Sequence, residues 1–239
     1  MSDKPEKKTA STAPKKKRVK HRLPKKIIAI PNPDKVWHEK WTEHRDLLNI
    51  PHPFRCVLLG PPNSGKTTVM KNIIVRCKPE FEEIMVVHCD KDDTKEFDDL
   101  DVDMLDDIPT PEEIDPDSKK LIILEDLEYG SMDKDTKKAL DRLFGYVSTH
   151  KNLSVMLTAQ DPFSVPAICR RCANLWVIWR VTDIDALSTV GRRTGMKSKH
   201  FSALFEKFIN DTKDSIWVDL TSHSPAPLRL NGYQIIKKK

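Results

Sequence analysis

The chain lacks the features that would place it in a membrane or in the secretory pathway. None of its apolar runs reaches the roughly 18 residues needed to span a bilayer. Its first residues carry no apolar stretch of the kind found in secretion signals. Its five cysteines are an odd number, which favours reduced thiols over a disulfide scaffold. We therefore expect an intracellular protein with no membrane partner.

The charge is unevenly distributed, although the net charge is only +5. Residues 1–28 carry eleven Lys or Arg against two acidic residues, and residues 90–117 carry fourteen Asp or Glu against two Lys. Such a distribution favours contacts with a polyanion or a basic tail. The acidic segment 90–117 could mimic DNA, bind a protein or keep the surface soluble. We expect the last role, with the segment as an exposed connection or a short helix at the edge of the sheet.

Three parts follow one another along the chain. Residues 1–26 are rich in Lys, Pro, Ser and Thr, and so few apolar residues cannot offset the entropy lost on ordering, which predicts disorder. The basic cluster Pro14–Arg22 within them is a candidate nuclear-import signal, with a polyanion patch and a solvated tail as alternatives. Residues 27–53 are predicted to lead into an α/β domain over residues 54–239.

The domain alternates apolar runs with helical patterns. This alternation predicts a mainly parallel sheet that is covered by helices on both faces, a three-layer α/β/α class. Runs near the end of the chain, SIWVDL and YQII, are candidate edge strands. The predicted strands are 54–59, 84–88, 121–125, 154–158 and 175–179, and the predicted helices are 66–77, 134–148, 183–194 and 199–209.

Residues 60–67 read GPPNSGKT, which matches the phosphate-loop pattern G-x-x-x-x-G-K-T between a strand and a helix. Glycines allow the tight turn, successive backbone N–H groups wrap the β-phosphate, and the helix N-terminus adds positive potential. Lys66 should reach the β- and γ-phosphates, and the Thr67 hydroxyl should ligate Mg²⁺. The predicted nucleotide-binding residues are Gly60, Pro61, Pro62, Asn63, Ser64, Gly65, Lys66, Thr67 and Thr68.

Two carboxylates follow the apolar run LIIL, within the stretch Lys119–Glu128. Ligands of open α/β sheets bind at the C-terminal ends of the strands, where Glu125 and Asp126 would lie. One carboxylate can hold Mg²⁺ and the other can orient or deprotonate the attacking water. By position, Glu125 is the residue on the metal side and Asp126 the residue on the water side, with Glu128 in reserve.

Two further motifs carry polar groups that suit phosphate chemistry. Gln160 directly follows the run SVMLTA. Its side chain could bond a γ-phosphate or the attacking water if its strand lies between the strand before the loop and the strand that carries the carboxylates. Arg170 and Arg171 precede another apolar strand, and an arginine can stabilise the transition state, in ring motors from a neighbouring subunit. A surface or nucleic-acid contact is the alternative role. Arg180 and the pair Arg192–Arg193 are rival candidates for the arginine.

This ordered set resembles the packaging ATPases of eukaryotic double-stranded DNA viruses, the poxvirus-type branch of the FtsK–HerA superfamily of P-loop NTPases. The matching stretches are GPPNSGKTT, LIILEDL, LTAQ and RRCAN before a strand, within residues 54–180. The resemblance implies that the glutamine-bearing strand lies between the strands of the Walker A loop and the Walker B carboxylates. By position, Gln160 matches the polar sensor of the family and Arg170 its arginine. The order Glu-Asp departs from the usual Asp-Asp or Asp-Glu, which leaves open which carboxylate activates water.

The resemblance also implies partners and a place of action. It implies a homo-oligomeric ring that hydrolyses ATP with Mg²⁺ and drives viral double-stranded DNA into a capsid, with capsid proteins as candidate partners. Basic residues outside the acidic segment suit sequence-independent contacts with DNA phosphates. A nuclear import receptor would recognise Pro14–Arg22, which suits a virus that assembles in the nucleus. We therefore expect the protein in the host nucleus, in the virion or in both.

A phosphate loop also serves other classes of protein. A small nucleotide kinase would need an arginine-rich lid, and the segment after residue 130 offers no clear one. A GTPase would need the tetrapeptide N-K-x-D, which the sequence lacks. A non-enzymatic nucleoprotein would not need the intact Lys66 and Thr67. The kinase and a DNA-dependent ATPase outside packaging remain the alternatives.

Overall fold

The computed structural model describes residues 50–88, 95–125, 127–221 and 224–237 of the chain. The predicted basic tail 1–26 with its cluster Pro14–Arg22, residues 27–49 and the candidate Asp126 lie outside these residues. In the described part, none of the helices combines the length and the apolar character needed to cross a bilayer.

Strands and helices alternate through most of the described domain. The strands are β1 (Arg55–Leu59), β2 (Glu83–His88), β3 (Asp103–Leu105), β4 (Lys120–Glu125), β5 (Leu153–Ala159), β6 (Leu175–Ile178), β7 (Ile216–Asp219), β8 (Leu228–Leu230) and β9 (Gln234–Ile235). The helices are α1 (Lys66–Arg76), α2 (Lys134–Arg142), α3 (Ala167–Cys172), α4 (Ile184–Arg193) and α5 (Ser198–Phe208). Helix α2 continues into a π-helical segment, Leu143–Val147, and a short helical turn, Ser148–His150.

The described strands form one sheet in the order β3-β2-β4-β5-β1-β6-β7-β8-β9. Strands β1 to β6 pair in parallel, and β7, β8 and β9 add an antiparallel edge. Strand β5 lies between β1 and β4, which confirms the arrangement implied by the resemblance. The C-terminal ends of the loop, glutamine and carboxylate strands therefore meet at one edge.

Alternate residues of the central strands point into two separate cores, as expected for a sheet covered on both faces. On one face, Leu58 of β1 packs with Met70 and Ile73 of α1. On the other face, Val57 packs with residues of the remaining helices, among them Leu140 of α2. The structure is therefore a three-layer α/β/α fold, as the sequence predicts.

Three differences from the sequence prediction concern short elements, and one of them is helix α3, which was not predicted. The acidic segment is more than a connection or an edge helix, because it contributes the parallel edge strand β3 beside β2. Its apolar residues Phe97, Ile108 and Ile114 are buried, so they anchor the segment despite the surrounding charge. Strand β8 also has no counterpart in the prediction, since a run of three residues is too short to show a period of two.

Candidate nucleotide-binding site

Hydrogen bonds hold three strand ends together at the edge of the sheet where the loop begins. The Gly60 N–H donates to the Ala159 carbonyl over 3.0 Å, and the Trp179 N–H donates to the Leu59 carbonyl over 2.9 Å. The first bond joins the phosphate loop to the last residue of β5, so Gln160 follows directly beside the loop.

The loop, residues 60–65, needs special backbone conformations and close packing. Asn63 and Gly65 have left-handed φ angles of 59° and 105°, which turn the chain into α1. At Gly60 a Cβ atom would lie 2.8 Å from the Cβ atom of Trp179, a side chain that is only 1% exposed. The glycine at position 60 is therefore required by contact with the neighbouring strand end.

The Lys66 ammonium reaches back over the loop. It donates to the carbonyl oxygens of Gly60 and Pro61, at 2.9 and 3.0 Å. Helix α1 begins at this lysine and has no acidic residue in its first turn, so the positive potential of its N-terminus is not offset within that turn. Both features favour an anionic ligand such as phosphate.

The Thr67 hydroxyl lies between two carboxylates. It donates to Oε2 of Glu96 over 3.0 Å, and Oε1 of Glu125 lies 3.4 Å away. Glu125 is the last residue of β4 and is 4% exposed, so the sheet fixes its position. A hydroxyl and one or two carboxylates, completed by water and phosphate oxygens, form the oxygen-rich ligand set that Mg²⁺ prefers. The residues present therefore fit this metal.

These side chains share one open cavity of about 380 Å³. Several sequence-predicted residues line it, namely Pro62, Asn63, Gly65, Lys66, Thr67, Thr68, Glu125 and Gln160. Of the other predicted loop residues, Ser64 is buried, and Gly60 and Pro61 contribute the carbonyl groups that accept from Lys66. In the described residues, no group of three or more His, Cys, Asp or Glu side chains forms a separate metal site.

The candidate arginines Arg170, Arg171 and Arg180 are not among the residues that line this cavity. The Arg170 guanidinium donates to the Pro162 carbonyl over 3.1 Å, and the side chain is half-buried on α3. Arg171 and Arg180 are exposed, and Arg180 lines another cavity beside Ile184. None of these three side chains lines the phosphate cavity.

Two cavity residues are absent from the sequence prediction. Glu96 comes from the acidic segment, and Lys213 comes from the loop between α5 and β7. The Lys213 ammonium donates to the Asn63 carbonyl of the phosphate loop. Each is a charged residue in a charged stretch and belongs to no motif, so no sequence pattern distinguishes it from a surface residue.

Solved structures with the same fold include the genome-packaging NTPase B204 of Sulfolobus turreted icosahedral virus 2. Its complex with sulfate aligns with a TM-score of 0.55 and 13% identity, over 79% of this chain and all of B204. Its complex with AMPPCP aligns with a TM-score of 0.53 and 15% identity, over 74% of this chain and 96% of B204. B204 of Sulfolobus turreted icosahedral virus, a DNA-packaging ATPase, aligns with a TM-score of 0.51 and 12% identity. This alignment covers 75% of this chain and 97% of B204.

The chain has a P-loop NTPase fold. Similarity to these packaging NTPases confirms, at the level of the fold, the resemblance seen in the sequence. No protein-family model matches the sequence, and no curated protein sequence matches it. Because these identities are low, the alignments show the fold, and the function has to be inferred from the site residues.

Proposed function

We propose that this chain hydrolyses ATP and uses the energy to drive viral double-stranded DNA into a capsid, as a homo-oligomeric ring. The observation that carries the proposal is the position of Gln160. Gln160 directly follows β5, which lies between β1 before the phosphate loop and β4 with Glu125. The loop, Glu125 and Gln160 line one cavity. The likeness of the fold to viral packaging NTPases, one of them bound to an ATP analogue, supports it further.

Binding would depend on the loop and its lysine. The N–H groups from Asn63 onward face the β-phosphate, because Pro61 and Pro62 have no N–H to donate. On binding, the Lys66 ammonium exchanges its carbonyl partners for oxygens of the β- and γ-phosphates. Thr67 and Glu125 would hold Mg²⁺, which supplies positive charge beside the phosphates.

Hydrolysis needs a water molecule held in line with the γ-phosphate. We assign its activation to Asp126, which directly follows Glu125 in the sequence. Gln160 would donate a hydrogen bond to the γ-phosphate or orient that water. Arg170 would stabilise the transition state in the site of a neighbouring subunit, because it does not line the cavity of its own subunit.

The charge distribution and the fold support the proposed partners. Double-stranded DNA would contact basic residues outside the acidic segment through its phosphates. Capsid proteins are the partners that a packaging motor requires. The cluster Pro14–Arg22 would bind a nuclear import receptor, and the protein would act in the host nucleus or the virion.

ATP hydrolysis measured with and without double-stranded DNA tests the motor. We expect DNA to stimulate turnover of the wild type and Lys66→Ala to remove it. Hydrolysis without stimulation by any DNA would contradict translocation. Phosphate transfer to a nucleoside or nucleotide would instead identify a small P-loop kinase. DNA-stimulated hydrolysis without DNA uptake in a reconstituted capsid assay would leave a DNA-dependent ATPase outside packaging.

A further inference from the structure

Lys213 reaches the phosphate loop from a distant part of the chain. Its ammonium donates to the carbonyl of Asn63, 150 residues earlier in the sequence. Its stem passes beside the loop, since a Cβ atom at Gly65 would lie 4.0 Å from Lys213 Cδ. The side chain therefore lies along the face of the loop that lines the cavity.

Hydrogen bonds from backbone N–H groups to neighbouring carboxylates shape the loop that carries Lys213. Asp214 Oδ2 accepts from the backbone N–H groups of Asn210 and Asp211, at 3.0 and 2.9 Å. Asp211 Oδ1 accepts from the backbone N–H of Lys213 over 2.9 Å. These bonds fix the backbone at Lys213, so its side chain starts from a defined position.

Asn231, which follows β8, braces the same loop. Its amide donates to Asp214 Oδ1 over 3.0 Å, and its side-chain oxygen accepts from the Ser215 N–H over 2.8 Å. The pKa of Asp214 is lowered, first by the Asn231 hydrogen bond, so the carboxylate keeps its acceptor role to a lower pH than an ordinary aspartate. The loop is thus tied to the antiparallel edge of the sheet.

The Lys213 ammonium is available for a stronger acceptor than a carbonyl. Within the described residues it has no carboxylate in ion-pair distance, and it donates to the Asn63 carbonyl alone. An ammonium has three donors, and charge-assisted bonds to phosphate are stronger than bonds to a neutral carbonyl. Lys66 rests on carbonyls of the same loop in a similar way.

We propose that Lys213 is a second phosphate-binding cation of this site, which contacts the phosphates of the bound nucleotide directly. The proposal rests on the nucleotide site of the proposed function, and requires neither DNA nor a ring. Lys66 enters that site from the start of α1, whereas Lys213 enters from the loop before β7. The two cations would approach the phosphates from different elements.

Equilibrium binding of fluorescent ATP and ADP analogues in the absence of DNA tests this proposal. We expect Lys213→Ala to weaken binding by about tenfold or more, because one charge-assisted contact is lost. Lys213→Arg should retain most of the affinity, since it keeps the charge. Lys199→Ala removes the same charge from an exposed position on α5 and should bind like the wild type.

Lys213→Met separates the charge from the packing of the stem. We expect it to bind as weakly as Lys213→Ala and to lose part of the dependence of affinity on salt concentration. Nucleotide affinity equal to that of the wild type in Lys213→Met would overturn the proposal. Lys66→Ala shows that the assay reports this site. A wild type that binds nucleotide without DNA-stimulated turnover would refute the motor but not the role of Lys213.

Discussion

The Thr67 hydroxyl donates a hydrogen bond to Glu96, 3.0 Å away, and so connects the phosphate loop to the acidic segment. A second contact lies one turn further along α1, where Lys71 forms an ion pair with Asp99. The buried ring of Phe97 holds the intervening residues against the domain. The acidic segment, expected from composition to serve solubility, therefore supplies a side chain to the candidate nucleotide site.

Glu96→Gln should raise the Mg²⁺ concentration needed for half-maximal ATP hydrolysis several-fold. Two carboxylates beside Thr67 attract a divalent cation more strongly than Glu125 alone. A titration of turnover against Mg²⁺ measures the effect. Asp98→Asn is the control, because this exposed residue of the same segment does not line the cavity. Identical Mg²⁺ curves for Glu96→Gln and the wild type would exclude this role.

Gln160→Ala should lower kcat at least tenfold while ADP affinity stays within about twofold of the wild type. Its amide would act on the γ-phosphate or the attacking water, neither of which ADP retains. Steady-state kinetics and ADP titration separate the two effects. Gln234→Ala removes an exposed amide from β9 and should change neither. If Gln160→Ala weakened ADP binding as much as it lowered kcat, Gln160 would act in nucleotide binding instead.

Gly60→Ala should destabilise the domain by about 1–3 kcal/mol and weaken nucleotide binding, because the added Cβ overlaps Trp179. Denaturant unfolding measures the free-energy change. Gly130→Ala is the matched control, since a Cβ atom there meets no atom within 4 Å. Equal stability of the two variants would show that the strand end can shift to accept a methyl group.

Arg170→Ala mixed with Lys66→Ala should recover part of the ATPase activity that each variant lacks alone. In a mixed ring, a subunit with an intact loop can receive Arg170 from a neighbour. Arg171→Ala, altered at the exposed position next to it, should stay active and needs no rescue. If mixed rings form, as native mass spectrometry would report, and no activity returns, Arg170 does not act between subunits.

Asp214 should contribute to the loss of stability in acid. Its pKa is lowered below 3.8 by Asn231 and two backbone N–H groups, so its stabilising effect is complete above that value. The effect is lost as the pH falls through the lowered pKa. Asp214→Asn should be less stable at pH 7 but should lose less stability between pH 4 and pH 2. Parallel stability–pH curves from circular dichroism would contradict this assignment.

Contiguous patterns in the sequence determined the central parts of the fold and site. The loop, β1 and α1 follow one another, and their mechanism depends on local spacing alone. Glu125 and Gln160 could be placed because each ends a long apolar run, and parallel strands end at a common edge. The family resemblance supplied the order of β4, β5 and β1, which the structure confirms.

Only the tertiary structure decided that Glu96 and Lys213 line the cavity and that Arg170 does not. Glu96 contacts Thr67, 29 residues away in the sequence, and Lys213 contacts Asn63, 150 residues away. Both Glu96 and Lys213 lie in charged stretches without periodicity. Strand β3 was not predicted for a related reason. Its three residues lie among many carboxylates and are too few to show an alternation of apolar and polar residues. Sequence patterns report local geometry and burial, whereas an exposed charge acquires its partner only when the chain folds back on itself.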